Sequence, residues 1–354
     1  MDKESKSFLK SLLGECGPSG FEQSIQKVWM ARTKKYAENI KKDVHGNAIA
    51  VLNPKAECRV MLAGHCDEIG FIISNITEQG VLNFLPIGGL DSGVIPGSQV
   101  KILTKSGLVD GVIGKKAIHM MTPEERKNLI KLNQLYIDIG AKDKKDAEKT
   151  VSVGDAVAVA PNFIELKNNV FSSKGCDDRT GAYVVSEVLK ILHKNQKQLK
   201  VAVYSVSTVQ EEVGLRGATT SSYGIAPHAA IAVDVGHATD TPDAVREDNG
   251  EIYLGKGPII QKGPVVNPVL GDLLFETAKK KKIPNQVGAL GRPGGTDTGM
   301  IQLSREGVAT ALISIPNRYM HTSVECCSFN DVQNAAELIA QTILSMKANM
   351  DFTP

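Results

Sequence analysis

Two glutamates stand side by side where an apolar run gives out. The stretch KVAVYSVSTVQEEVGLRGA (200–218) is strand-like to Val209, then continues with Glu211-Glu212 and a glycine-rich turn. Adjacent carboxylates repel unless each has its own task or a positive charge lies nearby. Four other segments deliver polar groups in the same way. VMLAG (60–64) gives way to His65-Cys66-Asp67-Glu68, and Phe171 is soon followed by Cys176-Asp177-Asp178-Arg179. The run 229–233 ends in Asp234, with His237 three residues on, and ATALISI (309–315) leads to His321. Two imidazoles with several carboxylates and no required thiolate form a borderline-hard donor set, suited to Zn2+, Mn2+ or Co2+. Two such ions, about 3.5–4 Å apart, need a bridging carboxylate. Their four positive charges would hold crowded carboxylates ionised. One glutamate of the pair can then bind metal while its neighbour takes a proton from water.

Each feature has an ordinary explanation when taken alone. A Glu-Glu pair suits a solvated loop, Asp-Asp before a helix suits an N-cap, and Asp234 or His321 suits a turn. Their joint position at strand ends carries the argument, because ligands of open α/β sheets sit beyond the carboxyl ends of the strands. Alternation along a strand puts His65 and Asp67 on one side and Cys66 on the other, in the core. The same alternation would separate Glu211 from Glu212, so the chain must bend there, as Gly214 and Gly217 permit. His45, His119, His193 and His228 are expected to be ordinary loop or surface histidines, whereas His237 is a candidate for a substrate contact.

The elements that must position these groups fall into two kinds. Amphipathic helical spacing marks 2–14, 20–36, 181–194, 269–282 and 331–348, alternating with apolar strand-like runs at 48–52, 58–63, 200–209, 229–235 and 309–315. Nearly continuous Val, Ile and Ala strands flanked by such helices predict a buried sheet covered on both faces. Between about 70 and 164 the pattern changes to short β-like pieces at 70–74, 81–85, 99–103, 109–114, 135–140 and 155–160, with one helical candidate at 122–132. That shift predicts a small all-β domain (70–164) inserted into an α/β domain formed by 1–69 and 165–354.

Composition narrows the function. The chain has 354 residues, 42% hydrophobic, long enough for two domains and without an apolar run of 18. Net charge is +2, from 41 basic and 39 acidic residues that are interspersed, which argues against nucleic acid or membrane as main partner. Aromatic residues make up only 5%, which disfavours stacking on sugars or bases. The start, MDKESKSFLKSLLGECG, lacks signal-peptide character, and the six cysteines show no CxxC. A cytoplasmic protein with reduced thiols is the expectation.

Taken together, GHCDEIGF (64–71), KGCDDRTG (174–181), TVQEEVGLRGA (208–218), VDVGHATDTP (233–242), GGTDTG (294–299) and IPNRYMHTSVE (315–325) resemble the M42 family of metallo-aminopeptidases. These stretches span most of the chain in order. The resemblance implies a zinc-peptidase-like α/β domain with a PDZ-like or β-barrel dimerisation insert. It implies two divalent ions (Zn2+, Co2+ or Mn2+) held by His65, Asp177, Glu212, Asp234 and His321, with Asp177 bridging. It implies Glu211 as general base, Asp67 as the carboxylate that orients His65, and a cis peptide after Asp177. The implied activity is removal of N-terminal residues from small peptides by a homo-oligomer, dimers assembling to a dodecamer. Other two-metal hydrolases, such as a carboxypeptidase or deacylase, remain alternatives. A polysaccharide hydrolase would need two carboxylates facing each other across about 5–9.5 Å, which adjacent Glu211 and Glu212 serve badly. A non-catalytic assembly or binding protein, with the cluster purely structural, is the third.

Overall fold

Strands covered on both faces can be apolar throughout, and Ala48–Leu52, Arg59–His65, Ala202–Thr208, Ala229–His237 and Ala309–Asn317 are buried over nearly their whole length. In the computed structural model, which describes residues 1–354 except Asp248, they are the centre of an eight-stranded mixed sheet. Edge to edge the strands are 39–42, 48–52, 202–208, 59–65, 229–237, 309–317, 259–262 and 286–289. The four from 202–208 to 309–317 run parallel, so their carboxyl ends share one edge.

A period of two sorts the side chains of these strands into two layers. Val60 and Leu62 enter the core packed by Lys3–Leu13, Gln23–Thr33, Cys176–Lys194 and Phe329–Ser345. Met61 and Ala63 enter a second core, beneath Arg216–Ile225 and Asp297–Gln302. The buried Trp29 indole donates to Ala182 O at 2.7 Å and so pins one covering helix to its neighbour.

The middle of the chain folds differently. Strands 70–76, 82–87, 136–138, 107–114, 99–104 and 156–159 close into an antiparallel barrel. The barrel has its own core around Phe71, Ile73, Val100, Ile102, Ile137 and Val157. A three-stranded sheet of 164–165, 170–173 and 325–328 lies outside both. The helix expected over 122–132 shrinks to Pro123–Lys127, capped by Thr122. None of its residues is buried, and a short helix without an apolar face to dock is marginal in water. No helix among the described residues is long and apolar enough to cross a membrane.

Candidate metal centre

The parallel register explains why distant segments meet. His65 is the last residue of its strand and pairs with Thr208. Ala63 pairs with Ala232, so Asp234, two residues on, is level with His65. Asp234 therefore lies within its strand rather than at the end of it. The pairing with 309–317 continues to His237 and Asn317, which keeps the backbone extended past the carboxylate. Cys66, after His65, is buried in the core on the opposite side, and Cys176 is buried with it.

Asp177 and Asp178 open the helix Cys176–Lys194 with non-helical dihedrals, and the peptide between them is cis. Glu211 and Glu212 follow the bend that alternation demands. The strand ends at Thr208, Gln210 takes a left-handed φ of 54°, and the turn closes at Gly217. A Cβ on Gly217 would lie 2.4 Å from both Val209 O and Asn47 Oδ1, so only glycine fits. His321 sits in the loop between strands 309–317 and 325–328.

Asp177 stands between the two imidazoles. Its Oδ1 is 3.1 Å from His65 Nε2 and its Oδ2 is 3.2 Å from His321 Nε2. His65 Nε2 is also 3.8 Å from Glu211 Oε2 and 4.0 Å from Asp234 Oδ1. His321 Nε2 is 3.5 Å from Glu212 Oε1. On the far side of the first imidazole, His65 Nδ1 lies 3.5 Å from Asp67 Oδ1. Asp67 also accepts from Ser19 Oγ (2.6 Å), Glu211 N (3.1 Å) and Glu212 N (3.2 Å). One buried carboxylate thus fixes both an imidazole and the turn that carries the glutamate pair. The His65 backbone N–H donates in turn to Asp178 Oδ2.

Packing this many carboxyls together has an electrostatic cost. Burial pushes Glu211 up to about 10, with Asp234, Asp297 and Glu212 adding to the rise against His65. Burial and the nearby Asp177 raise Glu212 to about 7 and Asp234 well above the carboxylate range. Asp177 itself, despite its burial, is held low by hydrogen bonds from His321 and His65. The Asp177 contact lifts His321 to about 9. The donor set fits divalent cations on two counts. Positive charge would relieve the mutual repulsion, and Glu212 Oε1 is buried with no hydrogen-bond partner. Two groups, His65 with Asp177 and Glu212, and His65 with Asp178 and Asp234, each offer donor atoms within 4.8 Å of one another. Asp178 is the weaker ligand of these, because both its oxygens already accept backbone N–H groups, from His65 and Gly181.

Three further carboxylates have parts that sequence reasoning did not assign. Glu325 accepts from Asp177 N (3.1 Å) and His321 N (2.9 Å), tying the bridge-like aspartate to the loop histidine. Asp297 accepts from Thr208 Oγ1 at 2.6 Å and raises Glu211 through space. Glu68 pairs with Lys174 and Arg179 (both 2.7 Å) and locks the 65–68 and 174–179 segments together. Glu325 and Asp297 lay inside the matched motifs, but neither ends an apolar run, the signal that singled out the others. His237 lines the cleft. His228 is not in the cleft lining; its Nδ1 accepts from Arg59 N.

A family model described as M42 glutamyl aminopeptidase matches residues 46–338. The lysyl aminopeptidase of Pyrococcus furiosus is 36% identical over 351 residues, 98% of each chain. The crystal structure of a TET aminopeptidase from a marine-sediment Thaumarchaeota archaeon superposes with a TM-score of 0.91 at 33% identity, covering 98% of each chain. The TET1 peptidase of Pyrococcus horikoshii, which can assemble into a tetrahedron or a large octahedral shell, gives 0.86 at 32% identity over 97% of this chain and 100% of that one. The mixed sheet and the closed barrel are the common framework, and the chain is a member of the M42 peptidase family.

Proposed function

We propose that this protein is an aminopeptidase that releases the N-terminal residue of small peptides bearing a free α-amine, with two divalent cations (Zn2+, Co2+ or Mn2+) as cofactors. His65 and Asp234 would serve one ion, His321 and Glu212 the other, and Asp177 both. The placement of Asp177 between two imidazoles, one oxygen towards each, is the observation that supports this most directly. Bound there, two such ions keep the carboxylates ionised, acidify water and polarise the scissile carbonyl.

The remaining work belongs to the chain. Glu211, mostly buried beside His65 and lining the cleft, takes one proton from the attacking water. The water oxygen bonds to the carbonyl carbon, the C–N bond breaks, and Glu211 returns the proton to the leaving amine. Such general acid–base help is worth about 10²–10⁴-fold. Asp67 holds His65 in the orientation that points Nε2 into the site, a role a ligating imidazole needs filled. The test compares one peptide with a free, an N-acetylated and a C-terminally blocked end. Free and C-blocked forms should be cleaved and the acetylated form should not; equal cleavage of the acetylated form, or carboxyl-end trimming, defeats the assignment.

Residues 70–164 form, in this reading, an inserted dimerisation domain of a homo-oligomer. The barrel exposes Leu85, Leu108, Val112, Ile118 and Met120, and a relative builds closed shells. Light scattering on the purified chain tests it, and a monomer at micromolar concentration would count against it.

A further inference from the structure

The cleft beside the candidate metal ligands encloses about 340 Å³, within the range of small-molecule sites. Its lining beyond those ligands and Glu211 comes largely from strands of the main sheet. Ile259 and Gln261 come from strand 259–262, and Leu312 and Ser314 from strand 309–317. Ile252 and Leu290 add further apolar surface. Among the described residues, His237 is the one other titratable group in the lining, and no Lys, Arg, Asp or Glu is added to the site already described.

The polar groups of this wall are neutral, and they engage each other. Gln261 Nε2 donates to Ser314 Oγ at 3.1 Å, and both residues are buried. Two glycines make that arrangement possible. A Cβ on Gly288 would lie 2.2 Å from Gln261 Oε1, and one on Gly236 would lie 2.9 Å from Ser314 Cβ and 3.0 Å from Ile259 Cδ1. A side chain at either position would displace the wall.

We infer that the cleft selects peptides whose N-terminal side chain is neutral and apolar, of leucine or methionine class, over lysyl, arginyl, glutamyl or aspartyl peptides; the inference rests on the aminopeptidase reading above. A buried charge needs a partner or a hydrogen-bonding shell. The four carboxylates in the lining, Asp177, Glu211, Glu212 and Asp234, are those of the candidate centre, and the rest of the lining adds none to receive an ammonium. No Lys or Arg stands in the described lining to receive a carboxylate. An aliphatic side chain, by contrast, meets Ile252, Ile259, Leu290 and Leu312 and displaces water from them.

The experiment measures kcat/KM of the full chain, loaded with Co2+, on leucyl-, methionyl-, lysyl- and glutamyl-p-nitroanilide. Calorimetric binding of leucinamide and lysinamide to the E211Q variant gives a readout free of turnover. Leucyl and methionyl substrates should lead by roughly 10–200-fold, the range that pocket contacts supply, and leucinamide should bind more tightly. The isosteric Q261E variant places an anion in the wall and should raise the lysyl-to-leucyl ratio at least about tenfold. A lysyl or glutamyl substrate leading in the unaltered protein, or a Q261E ratio within twofold of it, overturns this inference and leaves the aminopeptidase reading standing. Hydrolysis of none of the four overturns both.

Discussion

Replacing Asp67 by Asn probes the centre without touching a candidate ligand. The side chain is fully buried, and its two oxygens divide four donors between them. Oδ1 faces Glu211 N at 3.1 Å and His65 Nδ1 at 3.5 Å, while Oδ2 takes Glu212 N at 3.2 Å and Ser19 Oγ at 2.6 Å. Asparagine has one acceptor oxygen. If its amide oxygen replaces Oδ1, the Glu212 N–H meets another N–H; if it replaces Oδ2, the Glu211 N–H and His65 Nδ1 are left instead. Either way at least one buried backbone donor is orphaned, at about 1–3 kcal/mol. The loss of negative charge behind His65 also weakens that imidazole as a ligand, by about 10–100-fold in metal affinity for partners of this kind. D67N should therefore lose about 1–3 kcal/mol of stability in the chelator-treated chain, read by urea unfolding. Its affinity for Zn2+, read by competition with a chromogenic chelator, should fall by that roughly 10–100-fold. Affinity within threefold of the native chain, together with an unchanged urea midpoint, would refute the reasoning.

E211Q removes the proposed proton acceptor and keeps the shape, so bound metal should stay at the native stoichiometry while kcat falls by at least about 10²-fold; near-native turnover takes Glu211 out of the role. H65A and H321A should each lower the metal content found by plasma emission, and chelator treatment should abolish activity that added Co2+ or Zn2+ restores. Unchanged metal in both variants removes them as ligands. E68Q leaves Lys174 and Arg179 buried without their anion, which should cost about 3–5 kcal/mol in chemical unfolding. Burial raises the Glu68 carboxyl, but Arg179 and Lys174 outweigh it and hold the folded value below the ordinary 4.5. The unfolded chain then binds the proton more tightly, so this contribution is complete above pH 4.5 and lost as pH falls through the folded value. Native stability should decline below pH 4.5 more steeply than that of E68Q, and parallel curves would refute the assignment.

Sheet and barrel were legible for different reasons. The runs at 48–52, 202–208 and 309–317 are rich in apolar residues and buried at nearly every position because both faces are covered, and this richness is readable in the sequence. The barrel showed itself through short alternating runs between glycines, and all six lie on its wall. Pairing order left no such trace. That 202–208 inserts between 48–52 and 59–65 depends on long-range contacts, and no local propensity encodes them. The helix over 122–132 fell short because Ile130 and Leu132 pack against the barrel core beyond the α-helix, which buries none of its own residues.

At the site, residue type was readable and relative orientation was not. A carboxylate announces itself when it interrupts an apolar run, which marked Asp177, Glu212 and Asp234. Glu325 and Asp297 do comparable work from positions without that contrast, one at the start of a short strand and one at the head of a short helix. Gln210 shows the limit most sharply. Its left-handed φ of 54° begins the bend that lets Glu211 and Glu212 face one site, yet glutamine carries no preference for that region. The conformation is held from outside, by Glu22 Oε1 accepting from Gln210 N at 3.1 Å and by Asp67 accepting from the next two amides. Both carboxylates come from segments more than 140 residues away in the chain. The local sequence at 208–218 can therefore announce two glutamates but not their directions, because those directions are set by acceptors the stretch does not contain.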